Sequence, residues 1–82
     1  MHTVYILKSL KAPGRIYIGC TTDLERRVEQ HNHGRSEYTK HFMPWRVETE
    51  IIFADIELAR RFETYLKSGS GHAFLWKHLV NK

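Results

Sequence analysis

The chain has 82 residues, of which 41% are hydrophobic, 12% aromatic and 27% charged, the composition of a folded domain and not of a disordered tract. That length supports one hydrophobic core and excludes two, and the apolar runs are too short to cross a membrane as a helix. Thirteen Lys and Arg against nine Asp and Glu leave a formal charge of +4, an excess that suits a polyanionic partner without requiring one.

Met1-His2-Thr3 leads straight into Val4-Tyr5-Ile6-Leu7, without the charged start and cleavage site of a signal peptide. Thr3 to Leu7, rich in β-branched and aromatic residues, reads as a strand. Lys11-Ala12-Pro13-Gly14 is a turn, and Arg15 to Gly19 follows as a second strand, so an antiparallel hairpin is the simplest connection. Alternation puts Val4 with Ile6, and Tyr5 with Leu7, on opposite faces; Tyr17 and Gly19 lie opposite Ile16 and Ile18. A turn centred near Lys11 places Tyr5 across from Tyr17. Thr22 or Asp23 caps a helix from Leu24 to His31 that Gly34 ends. Leu24 and Val28 form its buried stripe, and Arg27 and His31 sit one turn apart on an adjoining face.

Gly34 to Pro44 is polar and basic and reads as an exposed loop. Trp45 to Ala54 reads as a third strand, with Val47, Thr49, Ile51 and Phe53 inward and Glu48 and Glu50 outward. Asp55 caps a helix from Ile56 to about Lys67, its buried face made of Leu58, Ala59, Phe62, Tyr65 and Leu66, with Glu63 beside them. Ser68-Gly69-Ser70-Gly71 ends that helix and caps a last one carrying Phe74, Leu75, Trp76 and Leu79. No repeat, linker or low-complexity tract interrupts the order, so residues 1–82 are read as one domain. The expected fold is α/β, a three-stranded antiparallel sheet flanked by helices in the order β-β-α-β-α-α.

Several reactive patterns fail on inspection. His31 and His33 are two residues apart at a helix end and cannot face one ligand on a helix, and no further ligand has zinc spacing. One cysteine, Cys20, excludes an internal disulfide and a thiolate cage; it reads as packing in a reducing, cytoplasmic setting. Gly69-Ser70-Gly71 lacks the ending of a phosphate loop and follows no strand, which leaves capping as its reading.

One ordered set survives: Tyr5 in the first strand, Tyr17-Ile18-Gly19 in the second, Arg27 and His31 on the first helix, and Glu63 on the second. Together these residues resemble the GIY-YIG nuclease superfamily, from Tyr5 to about Lys77, and most of all its small single-domain members. The first motif departs from the name, since Val4-Tyr5 is followed by Ile6-Leu7. The resemblance implies a metal-dependent endonuclease that hydrolyses DNA phosphodiester bonds, structure-selective and acting in repair or recombination. It assigns Glu63 to one divalent cation, Mg2+ or Mn2+, and Arg27 to the phosphate that gains charge. It matches Tyr17 and Tyr5 to the family's paired tyrosines, one of which is the general base, with Tyr17 preferred and Tyr5 as its partner positioning water or phosphate, and it gives His31 as a relay or an orienting group. Asn81 is the late candidate for an asparagine that the family often adds.

Branched, nicked or single-stranded DNA is the expected partner, held by phosphate contacts from Arg35, Lys40, His41, Lys67 and Lys77 at the rim. Two other readings stay open. One is a nucleic-acid-binding module of the nuclease shape with little or no cleavage; the other is a protein-interaction domain that uses Trp45 and Trp76.

Overall fold

Strand β1 (His2–Ser9) pairs antiparallel with β2 (Ile16–Thr21) on one side and β3 (Trp45–Phe53) on the other, giving the order β2-β1-β3. These elements are seen in a computed structural model that describes residues 1–81. Val4, Tyr5, Ile6 and Leu7 of the central strand are all buried, because helices cover both faces of the sheet and leave that strand no solvent side. On one face Val4, Ile6 and Ile18 pack against Ala59 and Leu66 of α2 (Ile56–Lys67) and Leu75 of α3 (Gly69–His78). On the other, Tyr5, Leu7 and Trp45 pack with Tyr17 and with Leu24 and Val28 of α1 (Leu24–Asn32). The chain order is therefore the expected β-β-α-β-α-α, and no described helix is long and apolar enough to cross a membrane.

Helix ends follow local chemistry. Asp23 accepts the Arg26 N–H at the start of α1, and Asp55 accepts the Glu57 N–H at the start of α2. Ser68 ends α2 and caps α3 by accepting the Gly71 N–H. The backbone at Gly71 lies against the Tyr65 carbonyl so closely that a side chain there would overlap it.

The hairpin register differs from the expected one. Tyr5 pairs with Gly19, and Leu7 with Tyr17. The Ser9 hydroxyl accepts the Lys11 and Ala12 N–H groups, and Ser9 N–H bonds the Arg15 carbonyl, which moves the turn's centre past Lys11. The displacement is an even number of residues, so every side chain keeps its face and the two phenols still share one.

Strand β3 corrects the expected alternation. Thr49 pairs with Ile6 and Val47 with Leu7, so Glu48 is the extra residue of a bulge. Past the bulge Val47 shares the face of Leu7 and Trp45, not that of Ile51 and Phe53. Glu48 does not point outward as expected: its carboxylate accepts the Asn81 N–H at 2.6 Å and pairs with Arg46 at 2.9 Å. Leu58 and Tyr65 of α2 are 46% and 40% exposed, so the buried stripe narrows to Ala59, Phe62 and Leu66. The segment expected as an exposed loop carries a 3-10 turn, Thr39–His41, with Thr39 fully buried. Trp45 is buried too, its indole N–H donating to the Thr39 carbonyl at 2.8 Å, which removes it as an exposed docking aromatic.

Candidate active site

Tyr5 is fully buried and reaches across the hairpin over Gly19. A methyl group at Gly19 would overlap its ring and hydroxyl. The Tyr5 hydroxyl lies 3.1 Å from Nε2 of His31, whose Nδ1 lies 2.8 Å from the Thr39 hydroxyl. Tyr17 rests on the same imidazole, with ring centroids 4.6 Å apart, and 6.2 Å from Tyr5. Strand parity supplies the two phenols, the last turn of α1 supplies His31, and the 3-10 turn closes the nest.

Burial sets the charges here. The Tyr5 phenol is pushed above its ordinary value by loss of solvent; Arg27 pulls against this, while Tyr17 and Glu63 add to it. His31 is lowered by burial and then by the Arg27 charge, so its imidazole is neutral at pH 7. A protonated Tyr5 and a neutral imidazole complement each other across this contact, and the tautomer of His31 sets the direction at Nε2 and, with it, at Nδ1 toward Thr39. Arg27 is held even more firmly charged by the neighbouring Tyr5 and, less strongly, Tyr17, and its guanidinium donates to Gln30 Oε1 at 3.1 Å.

Arg27 also lines a cleft of about 620 Å³ together with His2, Cys20, Thr21, Thr22, Ile56, Arg60 and Glu63. The aromatic nest and Glu63 lie on opposite faces of the sheet, and they meet around the end of edge strand β2, where Arg27 belongs to both. Glu63 is partly buried on α2 and pairs with Lys67 at 3.0 Å. Nδ1 of His2 is buried in this region with no hydrogen-bond partner among the described residues. The Cys20 thiol is raised by burial and by Glu63, against the pull of Arg60, which leaves it protonated and a poor nucleophile.

Among the described residues no three His, Cys, Asp or Glu side chains gather as a metal cage. A lone carboxylate on an open cleft does fit a hard cation that keeps most of its waters and takes its other ligands from a substrate phosphate. Glu63 is the residue that would hold it.

The expected rim residues do not form one rim. Lys67 is bound to Glu63, and Lys40 pairs with Glu37 at 3.3 Å. Arg35 lines a separate hollow with Arg26, Glu29, Gln30 and His33. His41 is exposed in the 3-10 turn, where its carbonyl accepts from Lys11. Lys77 is in the last turn of α3, a helix that contributes nothing to the cleft. Asn81 is held by Glu48 and Lys8, at the opposite end of β1 from His2, and is not brought to the site. Sequence reasoning passed over Thr39, Gln30 and Arg60. Gln30 and Arg60 carry a signal, each lying three residues from Arg27 or Glu63; Thr39 carries none, because its contact arises in the tertiary fold.

Residues 1–75 match the model of the GIY-YIG catalytic domain. A UPF0213 protein of Lacticaseibacillus paracasei is 35% identical over 82 residues, covering 95% of this chain and 92% of that protein. The structure-specific endonuclease subunit SLX1 of Candida dubliniensis is 38% identical over 85 residues; the match covers 95% of this chain but 28% of that protein's length. The solution NMR structure of the UPF0213 protein BH0048 from Bacillus halodurans superimposes with a TM-score of 0.55 at 34% identity, covering 93% of this chain and 82% of that one.

Proposed function

The chain belongs to the GIY-YIG nuclease family, and from that premise we propose that it is a divalent-metal-dependent endonuclease hydrolysing phosphodiester bonds in structured DNA. The observation that carries the reading is the cleft that joins Arg27 of α1 to Glu63 of α2, with the Tyr5–His31–Tyr17 nest directly behind Arg27. The structure-specific endonuclease relative supports branched or nicked DNA as the substrate class.

In this reading Arg27 holds the scissile phosphate and neutralises charge that grows on its non-bridging oxygens. Tyr5 is buried and keeps its proton, so its part is to fix His31 and the nest. Tyr17, half-buried beside it, is the phenol that takes the proton of the attacking water as its own hydroxyl proton passes to solvent. Glu63 would hold Mg2+ or Mn2+, which supplies Lewis-acid stabilisation of the leaving oxygen when bound. Lys67 engages only Oε2 of Glu63 and leaves Oε1 for the cation.

The test is a cleavage screen over duplex, nicked, flap, fork, junction and single-stranded DNA, with RNA alongside, in Mg2+ or Mn2+. Tyr17→Phe, Arg27→Ala and Glu63→Gln are each expected to slow cleavage by about a hundredfold or more while leaving the circular dichroism spectrum unchanged. Wild-type rates in Glu63→Gln would end the metal assignment. Binding in EDTA with no product from any substrate would instead make the protein a phosphate-binding module.

A further inference from the structure

We propose that Arg60 binds a second phosphate of the substrate, next to the scissile one, so that the cleft grips two consecutive phosphates. This rests on the nuclease reading above and adds a substrate contact to it. Ile56, Arg60 and Glu63 follow one another at spacings of four and three residues, which places them on one face of α2, and all three line the cleft. Arg60 is exposed. The carboxylate one turn away, Glu63, pairs with Lys67 and not with Arg60, and no ion pair engages Arg60 among the described residues.

Arg27 enters the same cleft from α1, so two guanidinium groups on separate helices flank one carboxylate. A single scissile phosphate beside a cation at Glu63 needs one such fork, and Arg27 is already tied to the phenols that serve it. The second fork has no ion-pair partner among the described residues and a planar donor set suited to phosphate oxygens. A cleft of about 620 Å³ has room for more than one phosphate.

The experiment measures fluorescence anisotropy of a labelled DNA flap oligonucleotide in EDTA, across a salt series, for the wild type, Arg60→Ala and Arg61→Ala. Arg61 is also exposed on α2 but lies outside the cleft, so its loss controls for net charge. Arg60→Ala is expected to weaken binding by about tenfold and to reduce the salt slope by about one, with Arg61→Ala changing both little. In Mg2+ the same variant should raise KM and leave kcat nearly as it was. Methylphosphonates placed singly along the cleaved strand then locate the contact: at one linkage beside the scissile one, neutralisation should weaken the wild type and leave Arg60→Ala no weaker. Equal effects of the two arginine variants, or a methylphosphonate scan in which every linkage adds to Arg60→Ala, would overturn the second-phosphate site alone. A wild type that binds none of the flap would overturn the nuclease reading with it.

Discussion

At the scale of single residues, Gly19 is defined by what stands over it. Its backbone carries no positive φ, so the requirement is one of space: Tyr5 lies where a methyl would go. Gly19→Ala is expected to cost about 1–3 kcal/mol in urea unfolding, and Tyr5→Leu in the same chain should recover part of that loss, a non-additivity that marks direct contact. His31 supplies a pH signature. Its folded value lies below the ordinary 6.5, so the unfolded chain takes the proton more readily. The stability it contributes is whole above pH 6.5 and is lost as the pH falls toward the folded value. The thermal midpoint should therefore drop on acidification below pH 6.5, and His31→Gln should flatten that drop. Tyr5 acts in the opposite sense: raised above the ordinary 10.0, it contributes stability below pH 10 that is lost as the pH rises through its folded value.

At the scale of elements, the site depends on how α1 is fastened to the sheet. Asn32 does this at the helix's last residue: its side-chain amide donates to the Trp45 carbonyl at 2.9 Å and its oxygen accepts the Trp45 N–H at 2.6 Å. One side chain thus completes the backbone bonding at the start of β3 and anchors the turn that carries His31. Asn32→Ala removes both bonds and is expected to lower stability by about 1–3 kcal/mol, read from equilibrium unfolding. Cleavage should fall with it, since the His31–Tyr5 contact sits one residue away. The triplet His31-Asn32-His33 is therefore a structural joint, with His31 inside, Asn32 on the strand and His33 exposed.

At the scale of the whole molecule, the two hydrophobic clusters carry the fold without help from a metal. Glu63 is a single ligand and the described residues form no cage, so a bound cation has little to contribute to the folded chain. EDTA is expected to abolish cleavage and to leave the thermal unfolding midpoint in place. A midpoint that collapses on chelation would require a structural metal site, and no three-ligand cluster is found among the described residues.

Much of this was legible in the primary sequence, because the signals are local. Alternating apolar residues determined the strands and their faces, Asp23 and Asp55 determined where helices begin, and the order of Tyr5, Tyr17, Arg27, His31 and Glu63 carried the family. Long-range geometry was settled elsewhere. Ser9 reset the hairpin turn, the Glu48 bulge turned Val47 to the other face, and Thr39 came out of an apparent loop to bond His31. The cations Arg35, Lys40, Lys67 and Lys77 were left on separate surfaces when the helices packed, and Arg60 became part of the cleft at the same step. Periodicity reports the face a residue occupies on its own element; which faces of different elements confront one another is decided by packing, and convergence around the end of β2 exists only there.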